Sequence, residues 1–219
     1  MRVLITGASS GIGKYCVSLF MHMGYEVIGL DIKPQTIDGY KHYIADISKK
    51  ETLPDIFGVD YLINNAGVQA SVDDIDVNLK GTINVTEKYG IHEGIKSILF
   101  VASASAHTGA EFPYYSASKG GMLAYMRNVA LRVAKYGATC NSISPGGVKT
   151  ELNKPVMEDE KLWADIMAVT PLKRWAEPEE IASWIYFLTT INKSCTGEDI
   201  LIDNGETHLN ATFIWPDNA

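Results

Sequence analysis

Val3-Leu4-Ile5-Thr6-Gly7-Ala8-Ser9-Ser10-Gly11-Ile12-Gly13 is the stretch that decides the fold. Its first four residues are β-favouring, and a run of glycines then breaks the strand pattern. Beyond the turn, Ile12, Cys16, Leu19, Phe20 and Met23 recur at three- and four-residue steps, which gives one apolar helical face before Gly24 supplies a stop. A second β-rich run follows over residues 26–30. Strand, glycine turn, helix and strand make a β-α-β unit, and its two strands must run parallel. Glycines at 7, 11 and 13 permit a tight turn and close backbone approach, so a pyrophosphate can rest against the N–H groups at the positive end of the helix. The spacing is G-x-x-x-G-x-G and departs from the generic G-x-G-x-x-G fingerprint.

Outward from this unit the alternation continues. Strands are predicted at residues 3–6, 26–30, 41–45, 61–64, 97–102, 138–143 and 199–203, with further helices at 75–89, 115–136, 161–168 and 178–188. The last helix opens with Pro178-Glu179-Glu180, as a helix start should. This pattern predicts an α/β fold: a single-domain, Rossmann-type, doubly wound parallel sheet of about seven strands flanked by helices, spanning residues 1–219. Neither a repeat nor a Pro/Ser-rich linker marks a domain boundary. The aromatic tail, residues 206–219 with Phe213 and Trp215, is the one unusual segment, and it is expected to cover a neighbouring subunit.

Composition narrows the function classes. With 219 residues, 46% hydrophobic and 21% charged, the chain has ordinary globular usage and enough apolar surface for a sizeable core. A formal net charge of -7 argues against a surface built to grip phosphate backbones, so no nucleic-acid partner is expected. Cys16, Cys140 and Cys195 lie far apart without a C-x-x-C pair, which suggests a reducing compartment. The apolar run at the N-terminus is too short for a secretory segment and no stretch is long enough to span a membrane, so the expectation is a cytoplasmic protein. The sequon Asn210-Ala211-Thr212 is then incidental.

Two further features carry chemistry. Asp31, at the end of the second strand and about twenty residues past the glycine loop, can accept hydrogen bonds from adenosine ribose hydroxyls, and its charge opposes a 2′-phosphate. That predicts NAD. Tyr115-Ser116-Ala117-Ser118-Lys119 sets a phenol and an ammonium one helical turn apart, where the cation favours the phenolate and makes an acid/base pair. The five histidines show no metal-ligand spacing, so no metal is expected. Asp73, Asp74 and Asp76 read as the solvated acidic start of a helix.

Taken together, these residues resemble the short-chain dehydrogenase/reductase family. The resemblance runs through six motifs in order: Thr6 to Gly13; Asn64-Asn65-Ala66-Gly67; Asn78 within Val77-Asn78-Leu79-Lys80-Gly81; Ser103 after the fifth strand; Tyr115 with Lys119; and Pro145-Gly146-Gly147-Val148-Lys149-Thr150. The resemblance implies a catalytic tetrad. Tyr115 would be the general acid/base, Lys119 would bind the nicotinamide ribose and depress the Tyr115 pKa, and Ser103 would hold the substrate oxygen. Asn78 would hold a water linking Lys119 to solvent. It further implies cofactor contacts from Gly7, Ser9, Ser10, Gly11, Ile12, Gly13 and Asp31, from Asp46 and Ile47 at the adenine, and from Asn65, Ala66 and Gly67 at the adenosine ribose. Tyr115, Lys119, Pro145, Gly146, Val148 and Thr150 complete that set around the nicotinamide.

Departures from the family pattern set the remaining expectations. The sequence at the fifth strand end is Val101-Ala102-Ser103-Ala104-Ser105, which leaves Ser105 as the alternative to Ser103, and residues 68–77 are shorter than is usual. Residues 151–175 fall where the family places its substrate lid. Their apolar side chains, with Phe112, Leu152 and Tyr114, suggest a moderately hydrophobic secondary alcohol or ketone bound among Ser103, Ser105, Phe112, Tyr115 and Leu152. The predicted protein is an NAD-dependent oxidoreductase acting on a small molecule and assembling as a homo-oligomer, tetramer or dimer. The alternatives are a 3-oxoacyl thioester reductase and a catalytically silent NAD-binding regulatory module.

Overall fold

The structure is a computed structural model and describes residues 1–110 and 112–209. Seven parallel strands form one sheet: β1 (Arg2–Thr6), β2 (Glu26–Asp31), β3 (Lys41–Ile44), β4 (Tyr61–Asn64), β5 (Ser97–Val101), β6 (Thr139–Pro145) and β7 (Asp199–Ile202). Their order is β3-β2-β1-β4-β5-β6-β7. The helices are α1 (Gly11–His22), α2 (Thr82–Tyr89), α3 (Ser105–Thr108), α4 (Pro113–Val133), α5 (Lys154–Glu158), α6 (Glu160–Val169) and α7 (Pro178–Tyr186).

Side chains of successive strand residues point to opposite faces, so a strand covered on both sides favours apolar residues at successive positions. In β1, Leu4 joins the core packed beneath α2 and α4 with Leu62, Ile98, Phe100, Met122 and Met126. Its neighbours Val3 and Ile5 turn to the other face and pack with Cys16, Val17, Phe20, Ile181 and Ile185 of α1 and α7. Burial pushes the thiols of Cys16 and Cys140 up, which leaves both inert. Strand order reverses at β1, whose neighbours are β2 and β4. A crevice opens beyond the carboxyl ends of strands at such a reversal.

The helix expected over residues 75–89 is two elements. Ile75–Gly81 is a π-helical segment and α2 begins only at Thr82. Gly121 of α4 explains the close fit here, because a Cβ at that position would lie 2.9 Å from Leu79 Cδ2. The sequence expectation for Asp74 is overturned: Asp73 and Asp76 are exposed, but Asp74 is only 1% exposed. The expected lid, residues 151–175, is a 3-10 turn (Glu151–Asn153) followed by α5 and α6, with no fully buried side chain in those three elements. Most of the tail, including Phe213 and Trp215, lies outside the described residues. Among the described residues no helix is long and apolar enough to cross a membrane.

Candidate active site

The glycine loop occupies the crevice beside β1. Gly7 has φ +67° and Gly11 has φ +48°, both in the left-handed region that favours glycine. Gly13 meets a harder limit, since a Cβ there would sit 2.0 Å from the Gly7 carbonyl oxygen. Ser10 precedes α1 but its side chain does not cap the helix. The helix start therefore presents backbone N–H groups and positive dipole without a side chain of its own to satisfy them, which fits an anionic pyrophosphate.

The Asn65-Ala66-Gly67 run is strapped to this loop. Thr6 Oγ1 accepts from Asn65 N and Ala66 N, each at 3.0 Å, while Asn65 Nδ2 donates to Thr6 O at 2.9 Å and Gly7 O at 3.2 Å. On the other side, Asp31 Oδ2 accepts from Ser9 N at 3.0 Å and Oδ1 from Lys33 N at 2.9 Å. Both carboxylate oxygens are thus aimed by main-chain donors at the edge of the loop. Thr36 also holds this corner, its Oγ1 donating to Ser9 O at 2.8 Å. Asp46 binds Ser48 through both the amide and hydroxyl and pairs with Lys49 at 3.1 Å. The Ser48 hydroxyl, then Lys49, holds its carboxyl below the usual range. Ile47 is buried under Gly81, where a Cβ would lie 2.7 Å from Ile47 Cγ1.

Beyond β4 and β5, Tyr115 and Lys119 share α4, Asn78 is bonded to Ser118 of the same helix, and Ser103 lies just past the end of β5, whose last carbonyl Lys119 binds. Lys119, on α4, is buried, and its Nζ donates to the Val101 carbonyl at 2.9 Å. It lies 5.6 Å from the centroid of the Tyr115 ring. Burial brings its pKa down to about 8, partly offset by the negative charge of Asp74. Ser103 and Ser105 are both buried, and Ser103 Oγ accepts from Ser105 N at 3.2 Å. Ser103 therefore keeps its hydroxyl proton available for another acceptor.

The Asn78 side chain is tied into the fold through both of its amide atoms. Its Oδ1 accepts from Val68 N at 2.8 Å, and its Nδ2 donates to Val68 O at 2.9 Å and Ser118 Oγ at 3.1 Å. The side chain thus clamps residue 68 to Ser118 of α4. A Cβ at Gly67 would lie 3.0 Å from Asn78 Oδ1 and 3.4 Å from Lys119 Nζ, which explains glycine at that crossing.

The loop after β6 closes the crevice. Pro145 ends β6, and Gly146 N donates to Ile202 O at 3.0 Å. Val148 bridges to Ala176, with Ala176 N donating to Gly147 O at 3.1 Å. Thr150 reaches back to the glycine loop, its Cγ2 being 3.7 Å from where a Gly11 Cβ would stand. Gly147 leaves room for the Trp175 indole, and Trp163 of α6 stacks edge-on against that indole at 5.0 Å. Neither tryptophan contact is legible in the sequence. Phe112, which precedes α4, and Leu152, in the 3-10 turn, are exposed. His107 is committed to Asp199, Nε2 to Oδ2 at 2.7 Å, at the β7 edge.

Known proteins resemble this chain over nearly its whole length. Residues 7–207 match the family model described as enoyl-(acyl carrier protein) reductase. The glucose 1-dehydrogenase of Gluconobacter oxydans is 31% identical, over 94% of this chain and 91% of that protein. The 3-oxoacyl-(acyl-carrier-protein) reductase of Thermotoga maritima is also 31% identical, over 92% and 96%. Among solved structures, 4-hydroxyisoleucine dehydrogenase complexed with NADH superposes with a TM-score of 0.84 at 28% identity, over 95% of this chain and 99% of that one. The chain belongs to the short-chain dehydrogenase/reductase family of oxidoreductases.

Proposed function

We propose that this protein interconverts a secondary alcohol and a ketone with NAD(H), using Tyr115 as general acid/base. The observation that carries the reading is the pairing of Lys119 with Tyr115 on α4: a buried ammonium 5.6 Å from the phenol ring centroid. A cation in a low-dielectric site favours the phenolate over the phenol. In the oxidative direction Tyr115 takes the hydroxyl proton, and Ser103 donates a hydrogen bond to the substrate oxygen and fixes it beside the phenol. In the reductive direction Tyr115 returns that proton to the carbonyl oxygen. The bound dinucleotide accepts or supplies the hydride.

Preference for NAD is supported by Asp31, whose two oxygens are held at the loop edge by Ser9 and Lys33 amides. A 2′-phosphate would meet that carboxylate at close range. The NADH complex of 4-hydroxyisoleucine dehydrogenase is consistent with it. The cofactor would lie along Gly7, Ser9 to Gly13, Asp46, Ile47, Asn65 to Gly67, and the Pro145–Thr150 loop. Exposed Leu131 and Trp184 support assembly as a homo-oligomer.

The test is nicotinamide absorbance against a panel of secondary alcohols and ketones, with NAD(H) and NADP(H), for wild type and Tyr115→Phe. NAD-linked turnover that the Phe variant loses is the expected result. Turnover confined to 3-oxoacyl thioesters with NADPH would favour the second reading, which the Thermotoga relative supports. NADH binding without turnover of any compound would favour a silent binding module.

A further inference from the structure

Asp74 resembles in sequence a solvated carboxylate at a helix start, and it is instead among the least exposed charged side chains of the described residues, at 1%. Removing a carboxylate from water costs several kcal/mol unless charge or hydrogen bonds compensate. The other buried carboxylates are well provided. Asp203 accepts from Gly205 N and Thr207 N, and Asp199 accepts from Ser142 Oγ and binds His107. Asp74 accepts from Ser71 N at 3.2 Å, a modest compensation.

The missing compensation is a charge. Among the described residues Lys119 is the one buried cation, at 4% exposure, and its single hydrogen bond, to Val101 O, leaves two of its three N–H groups to other partners. Asp74 stands one turn before Asn78 on the segment that packs against α4, and Asn78 Oδ1 and Lys119 Nζ both crowd the same point beside Gly67. Other groups near Lys119 do not serve. Tyr115 is its neighbour on α4, β5 offers the neutral Val101 carbonyl, Asp73 is exposed, and Asp76 is exposed and paired with Lys80 at 2.6 Å.

We propose that Asp74 is a positioning residue that holds Lys119 in its ammonium form, a buried counter-charge set into the site by the shortened segment before Asn78. The electrostatic relation stands on placement and burial; its meaning for turnover rests on the dehydrogenase reading. Lys119 must be charged to favour the Tyr115 phenolate, and the charge strengthens any hydrogen bond it donates to a ribose hydroxyl. Its burial works against that charge, and Asp74 opposes the loss.

The experiment follows Lys119 directly. The ¹⁵Nζ resonance of Lys119, assigned with Lys119→Met, is titrated in wild type, Asp74→Asn and Asp74→Glu. In parallel, kcat is measured against pH with the best substrate from the panel. The expected result is a Lys119 acid dissociation constant raised about tenfold or more in Asp74→Asn and largely restored in Asp74→Glu, with the alkaline limb of kcat moving alongside. A purely structural role would change stability but leave that midpoint in place, and an unmoved midpoint overturns the proposal. Should Asp74→Asn not fold, the wild-type Asp74 Cγ resonance decides: a step at the pH where Lys119 titrates supports the coupling, and its absence overturns it. A shifted midpoint in a protein that turns over no substrate would support the Asp74 assignment and refute the dehydrogenase reading instead.

Discussion

The Lys119 ammonium donates to the carbonyl of Val101, the last residue of β5, at 2.9 Å. This one bond sews α4, which carries Tyr115, to the strand end that leads into Ser103. The same bond thus relates the two side chains proposed as acid/base and substrate-orienting groups, Tyr115 and Ser103, through the lysine.

Burying that ammonium leaves a pH signature in stability. The folded-state pKa of Lys119, about 8, lies below the ordinary lysine value of 10.5, so the unfolded chain binds the extra proton between those limits and stability rises with pH across them. Against Lys119→Met, wild type should gain about 3 kcal/mol of unfolding free energy between pH 8 and 10.5. Urea titrations of both proteins at fixed temperature check this, and parallel curves would contradict it.

Gly13→Ala should abolish dinucleotide binding. The added Cβ would stand 2.0 Å from the Gly7 carbonyl, a backbone atom that cannot swing aside as a flexible side chain would. Expected is loss of NADH fluorescence enhancement together with about 2 kcal/mol or more of stability, as overpacking typically costs. Binding within a factor of two of wild type would count against the loop geometry.

Replacing Asp31 with Ala removes the acceptor of Ser9 N and Lys33 N and the charge that opposes a 2′-phosphate. KM for NAD(H) should rise about tenfold, as loss of one charge-assisted contact predicts, with kcat little changed and NADP(H) use increased. Steady-state kinetics with both cofactors measure the ratio. An unaltered ratio would remove Asp31 from the specificity argument.

Gly147 and Trp175 should be strongly coupled. A Cβ at Gly147 would fall 2.0 Å from Trp175 Nε1, so Gly147→Ala alone should cost about 2 kcal/mol, and much less in a Trp175→Ala background. A double-mutant cycle should return a coupling of about 1 kcal/mol or more, where distant sites would simply add.

Much of the fold was legible because β1, β4 and β5, buried on both faces, carry runs of successive apolar residues. The runs at residues 3–6, 61–64 and 97–102 stand out by composition alone, and the observed strands agree within two residues. The glycine loop, Asp31, Tyr115 and Lys119 were legible because their spacing reflects local geometry. What escaped depends on partners distant in sequence. Asp74 looks like its neighbours Asp73 and Asp76, yet it alone of the three is buried. The π-helical segment overlaps an ordinary helical period over so few residues that hydrophobic spacing cannot separate them. The Asn78 clamp on Val68 and the seating of Trp175 on Gly147 likewise join residues whose types give no hint of each other.

The interior position of β1, between β2 and β4, bears on how the molecule comes into being. One flank is completed early, when Glu26–Asp31 arrives, but the other waits for Tyr61, the partner of Val3. A chain growing from its N-terminus thus carries half of the glycine-loop cradle with a bare strand edge, apolar at Val3, Leu4 and Ile5, beside it, and Thr6 has no Asn65 to hold until that strand is made. Long-range parallel pairing of this kind is slow and exposed to aggregation. Nascent chains stopped short of Tyr61 should need chaperone protection, and the cradle should acquire affinity for a dinucleotide only after β4 docks.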